Sequence, residues 1–227
     1  MILALSLLAV QILLGALTVW KLLDPSVVSG HLGVALLIFA TLLAYTRTAW
    51  QAAGTGEPMP PARSPARSPA LLPVFAAATV LTWCQALLGG MVSTHHAGLA
   101  CPDRPTCLGE WFPAMQGLVG LQMSHRWGAY LLTAVVLGAA AVARSAPDRR
   151  VRAAGPLALG LVVFQVVLGV GSIHMRTPVW LSAAHLATAT ALLGVLLDAT
   201  LRIAALPRSA VAPDRTGSWH AGEVRPT

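Results

Sequence analysis

The 227-residue chain is 56% apolar and only 10% charged, with a mean hydropathy of +0.70. No water-soluble domain of this size combines so little charge with so much Leu, Val and Ala. The net charge of +7 is spread over short segments between apolar runs, which argues against nucleic acid as a partner and for membrane lipid.

Runs of about 20 apolar residues span a bilayer as helix. Six stand out, at residues 1–20, 30–46, 71–92, 127–142, 154–173 and 179–201. The first lacks the basic lead and small-residue cleavage site of a secretory signal, so it reads as a membrane span. The segments 47–70, 144–153 and 202–227 carry eleven arginines, whereas the alternate segments hold only Lys21, Arg104, Arg126 and Arg176. By the positive-inside rule the protein is expected in the cell membrane with both termini cytoplasmic and the loop holding Cys101 and Cys107 outside.

A repeat runs along the chain. Gln11-x-x-x-Gly15 is followed by Pro25 and His31; Gln165-x-x-x-Gly169 is followed by Pro178 and His185. Glutamine and histidine are 20 residues apart in both copies. A third Gln-x-x-x-Gly, Gln85 to Gly89, leads into the cysteine loop. Such a glycine lets helices approach closely, and the glutamine can hydrogen-bond between them.

Residues 51–70 are rich in Pro, Ala, Arg and Ser and read as a cytoplasmic linker. It divides a helix pair at 1–50 from four helices at 71–203, and 204–227 reads as a disordered cytoplasmic tail. Cys101 and Cys107, in an oxidising compartment and with two prolines between them, suit a disulfide; two free thiols or a metal-binding pair are the alternatives. Cys84, in the middle of a run, reads as a small packing residue.

Six of the seven histidines fall on the outer side: His31, His95, His96, His125, His174 and His185. His31, His125 and His185 stand at the starts of the second, fourth and sixth runs. Ionisable groups in membrane helices are costly and default to function, although a neutral imidazole can also be a satisfied polar residue between helices. No carboxylate accompanies these histidines at helical spacing, as a zinc site would favour. Two imidazoles from facing helices, apolar walls and a cation for propionates suit haem iron. Arg126 is a candidate for that cation, or an arginine reaching for water at the boundary.

Together these residues carry a resemblance. Gln85-x-x-x-Gly-Gly, the stretch 94–98, Cys101-Pro-Asp-Arg-Pro-Thr-Cys107, His125-Arg126, Gln165-x-x-x-Gly and Pro178 with His185 resemble the C-terminal half of the haem A synthase family. Gln11-x-x-x-Gly-Ala-Leu-Thr-Val, Pro25 and His31 resemble the second helix pair of its N-terminal half. The resemblance covers residues 9–201 and implies eight helices in two pseudosymmetric four-helix bundles. It implies oxidation of the C8 methyl of haem O to a formyl group in haem A biosynthesis. His125 and His185 would be axial ligands of a haem b, Arg126 a cofactor contact, and His31 a catalytic residue of the substrate-binding half. Haem O would be the substrate, the haem O-producing enzyme a partner, and a homo-oligomer is possible.

The expected fold is therefore an all-α integral membrane protein of six transmembrane helices, one complete four-helix bundle plus two helices of a pseudosymmetric second. The family's first helix pair holds a Glu-x-x-His-Arg motif. The sole His-Arg here is His125-Arg126, preceded by Gln122 in place of glutamate. The resemblance thus implies an N-terminally incomplete form, with a non-catalytic b-type cytochrome or haem-carrying subunit as the alternative. The repeat alone would also suit a small transporter.

Overall fold

A computed structural model describes residues 2–54 and 68–206. Most of the Pro/Ala/Arg/Ser linker and nearly all of the expected cytoplasmic tail lie outside the described residues. Six helices are long and apolar enough to cross a membrane: α1 (Ile2–Trp20), α2 (Pro25–Ala52), α3 (Leu71–Thr94), α4 (Gly117–Ala143), α5 (Arg149–His174) and α6 (Val179–Ala205). This is the expected six-helix, all-α membrane architecture.

Three helices begin earlier than the apolar runs: α5 starts at Arg149, five residues before its run, and α2 and α4 also start early. Asp24 caps α2, its Oδ1 accepting from the backbone N–H of Ser26 at 2.9 Å and Val27 at 3.3 Å, with Pro25 in the first turn. These are ordinary helix-start signals. Helix α4 begins at Gly117, ten residues before the apolar run at 127. Its first turns carry Gln122, Ser124, His125 and Arg126, polar residues that break an apolar run without breaking a helix. The three histidines therefore do not begin their helices. They lie six, eight and six residues past the first residues of α2, α4 and α6, about 9–12 Å along the axes.

Helices α3, α4, α5 and α6 close into a four-helix ring in that order, α3 also touching α6, so α4 and α6 face each other across a diagonal. The hairpin α1–α2 joins this ring through α2, which packs on α3 and α6. Glycines make that contact close: a Cβ on Gly33 would come within 2.7 Å of Leu87, and one on Gly90 within 2.8 Å of Leu32. Among the described residues α1 packs chiefly on α2 and buries no residue.

The bundle core lies at the end away from the histidines. Leu71, Phe75 and Ala78 of α3 meet Leu132, Val136 and Ala139 of α4, Ala158 and Val162 of α5, and Leu192, Leu196 and Ile203 of α6. At that same end Asp198 of α6 pairs with Arg47 of α2 and, at 2.8 Å, with Arg202. This ion pair fastens the hairpin to the ring. At the histidine end the packing is looser: no residue from 83 to 91 on α3 or from 182 to 191 on α6 is fully buried.

Candidate functional site

His31, His125 and His185 all lie at one end of the molecule, each opposite the Gln-x-x-x-Gly of the preceding helix. A Cβ added to Gly15 would lie 3.3 Å from His31 Cε1, one on Gly89 3.0 Å from His125 Cε1, and one on Gly169 3.3 Å from His185 Cε1. A bare glycine backbone is the floor on which each imidazole lies. The three helical hairpins thus repeat one unit. In α3–α4 the glutamine and histidine are 40 residues apart rather than 20, because the cysteine loop is inserted between them. Equal spacing in sequence exposes only two copies.

The glutamines engage differently. The Gln85 amide nitrogen donates to His125 Nδ1 at 3.0 Å and to the His125 carbonyl at 2.7 Å. Gln165 donates to the His185 carbonyl at 2.8 Å, leaving Gln165 Oε1 and His185 Nδ1 buried without partners. Gln11 donates to Nε2 of His31 at 3.2 Å, and His31 Nδ1 is buried and unpaired. Among the described residues nothing hydrogen-bonds Nε2 of His125 or His185, whereas that nitrogen of His31 is engaged.

Over the histidine end folds the loop between α3 and α4. The sulfurs of Cys101 and Cys107 stand at bonding distance, 1.96 Å, and both cysteines are wholly buried beside Met123. Asp103 organises the loop, its carboxylate accepting from Thr106 Oγ1 at 2.9 Å and from the N–H groups of Leu108 and Gly109 at 2.8 Å each. The Gly109 and Leu108 bonds draw its pKa down to about 2. Arg126, read from the sequence as a cation for haem propionates, is buried. Its guanidinium donates to the carbonyls of Asp103 at 3.0 Å, Thr106 at 2.9 Å and Cys101. Phe112 meets Trp127 with ring centroids 5.0 Å apart. Arg126 thus clamps the loop one residue from His125, a role invisible in the sequence because loop and arginine are 20 or more residues apart.

Of the other histidines at this end, His95 bonds the Met91 carbonyl at 2.9 Å, and His96 and His174 are exposed. Gln122, where the family motif has glutamate, is buried with its Oε1 unpaired. Among the described residues no cluster of three or more His, Cys, Asp or Glu could hold a bare metal ion. A centre that needs only two protein ligands, as a haem does, fits the pair His125 and His185: they sit on diagonal helices with free Nε2 atoms between loosely packed apolar walls.

These features define a multi-pass helical membrane protein with a histidine pair set across one bundle. The chain belongs to the cytochrome oxidase assembly protein family COX15-CtaA, whose family model matches residues 1–197. It is 35% identical over 202 residues to a haem A synthase of Methylobacterium sp. (strain 4-46), covering 81% of this chain and 52% of that protein. It is likewise 35% identical over 188 residues to a haem A synthase of Caulobacter vibrioides, covering 75% and 51%. A shorter match, 42% identical over 98 residues, is to a protohaem IX farnesyltransferase of Halobacterium salinarum, covering 42% of this chain and 21% of that protein. The chain spans about half the length of the haem A synthases it matches.

Proposed function

We propose that the chain acts in haem A biosynthesis, binding a haem b between His125 and His185 and serving the oxidation of the C8 methyl of haem O to a formyl group. The observation that carries this reading is the pair of Gln–Gly–His units on the α3–α4 and α5–α6 hairpins, which bring two imidazoles to one end of the bundle on diagonal helices. A haem held by two imidazoles exchanges single electrons, and a methyl group becoming a formyl group must give electrons up. The residues of this chain hold that carrier. His125 and His185 supply Nε2, the glycines let the rings lie flat against the backbone, and the apolar walls keep water from the ring faces. Arg126 and a Cys101–Cys107 disulfide fix the loop at the histidine end, and the N–H groups of Arg126 that the loop leaves over would be the cation for propionates. His31 belongs to the substrate-binding half. The arginine bias puts both termini in the cytoplasm and the cysteine loop outside.

A second reading, a haem-carrying b-type cytochrome without the oxidation, is favoured by Gln11, whose amide engages Nε2 of His31, the ring assigned to the substrate-binding half.

Two measurements test these readings. Purified protein should show a low-spin b-type spectrum that is lost in His125→Ala and in His185→Ala; a spectrum that survives both substitutions refutes the haem assignment. Expression in cells that make haem O and lack their own haem A synthase should yield haem A under the first reading and none under the second.

A further inference from the structure

A primary amide inside an apolar helix is tolerated only where it finds partners, and Gln85 and Gln165 find theirs on the histidine of the next helix. Gln85 is also seated from behind. A Cβ on Gly128, three residues after His125, would lie 2.2 Å from Gln85 Oε1, so this glutamine fits because residue 128 has no side chain. The ring rests on Gly89, the amide fills the space at Gly128, and the amide nitrogen reaches both Nδ1 and the carbonyl of His125. Ring rotation is fixed on three sides.

The α5–α6 unit shows which hydrogen-bond pattern this serves. Gln165 Oε1 and His185 Nδ1 are both buried and both unpaired. An amide oxygen only accepts, and a ring nitrogen donates only when protonated. No bond joins these two atoms here, but they are complementary in kind when the ring proton sits on Nδ1. That is the tautomer an imidazole adopts when its Nε2 lone pair goes to a metal.

Resting on the haem reading above, we propose that Gln85 and Gln165 are the positioning residues of the histidine pair, each fixing ring rotation and accepting the Nδ1–H of the ligating tautomer. Gln165 does this with the oxygen already free. Gln85 does it by turning its amide so that the nitrogen keeps the His125 carbonyl, as the Gln165 nitrogen keeps that of His185, while the oxygen comes to Nδ1. With its nitrogen on Nδ1, as here, Gln85 matches the ring whose proton is on Nε2. The amide orientation at Gln85 therefore distinguishes the ligand-ready histidine from the resting one. Gln11, facing Nε2 of His31, holds that ring in the non-ligating sense.

The test uses full-length protein purified with its haem and reads haem affinity, the visible spectrum and the midpoint potential. Gln85→Glu and Gln165→Glu keep the shape and offer a stronger acceptor, at the loss of the N–H that each glutamine gives to its histidine's carbonyl. They should retain haem and shift the potential downward, because a stronger acceptor on Nδ1–H makes the ligand more basic and favours ferric iron. Gln85→Leu should weaken haem binding about 10- to 100-fold, the usual cost of losing such a partner. Gly128→Ala should reproduce it by evicting the amide, while Gly138→Ala, whose Cβ would meet nothing within 4 Å, should not. If both Glu variants keep the wild-type potential, and Gln85→Leu and Gly128→Ala the wild-type affinity, the positioning role is wrong although the haem reading stands. If the spectrum persists without His125 and His185, both fall.

Discussion

Replacing Arg126 by methionine isolates what holds the cysteine loop. Methionine fills much of the same space but donates nothing to the carbonyls of Cys101, Asp103 and Thr106. Hydrogen bonds from a charged donor contribute about 1.5–3 kcal/mol each. The three do not simply add. The bonds to Asp103 and Thr106 are partly open to solvent, where water takes over, and the one to Cys101 is buried. The lasting cost is therefore that of one buried orphaned carbonyl and a residue of the other two, about 2–4 kcal/mol. Since each 1.4 kcal/mol is a factor of ten, loop opening should rise by roughly 30- to 1,000-fold. Hydrogen exchange at Leu108 and Gly109, whose N–H groups are held by Asp103, should accelerate accordingly. Arg126→Lys separates a clamp from a mere positive charge, because one ammonium cannot reproduce the planar fork over three carbonyls. It should resemble the methionine variant. Wild-type protection in Arg126→Met, or full recovery in Arg126→Lys, would refute the clamp.

Three further outcomes are expected. The Asp103 carboxyl has its pKa lowered from 3.8 to about 2, so its contribution to the loop is complete above 3.8 and fades as pH falls through about 2. The amide shifts of Leu108 and Gly109 should titrate near the lower value and not at all in Asp103→Asn. Gly155→Ala should destabilise the α4–α5 contact by about 1–3 kcal/mol, because its Cβ would lie 2.9 Å from Ala143 Cβ and 3.0 Å from Ala140 Cα; an unchanged melting temperature in detergent would count against that packing. Asp198→Asn should loosen α2 from α6 by about 1 kcal/mol, kept low because the carboxylate is 37% exposed. A crosslink between cysteines placed on the two helices should then form less readily; no loss would show that glycine packing alone holds the hairpin.

The six helices were legible because a span needs an unbroken apolar stretch, and the chain has six. What apolarity hid was the start of α4, where Gln122, His125 and Arg126 turn into the protein rather than toward water. The histidines were legible as a set, since imidazoles in apolar helices are rare enough to be noticed singly. Their glutamine partners were visible only where the intervening turn is short: Gln11 with His31 and Gln165 with His185 betray each other by equal spacing, while Gln85 and His125 are separated by the cysteine loop. The Arg126 clamp and the Arg47–Asp198 pair, the latter spanning 151 residues, leave no periodic trace. Each exists only after the chain has folded back on itself.

Each glutamine, glycine and histidine set belongs to a single hairpin, and this bears on how the protein is made. An imidazole can settle onto its glycine and meet its amide as soon as two neighbouring helices pair, before any ring of four exists. Contacts close in sequence form early, and the entropy of closing a loop grows with its length. The α1–α2 and α5–α6 turns are short, so their histidines are seated at once. The α3–α4 hairpin must first fold a loop of more than twenty residues. Newly inserted chain should therefore carry a seated His185 while His125 still swings free until the cysteine loop closes.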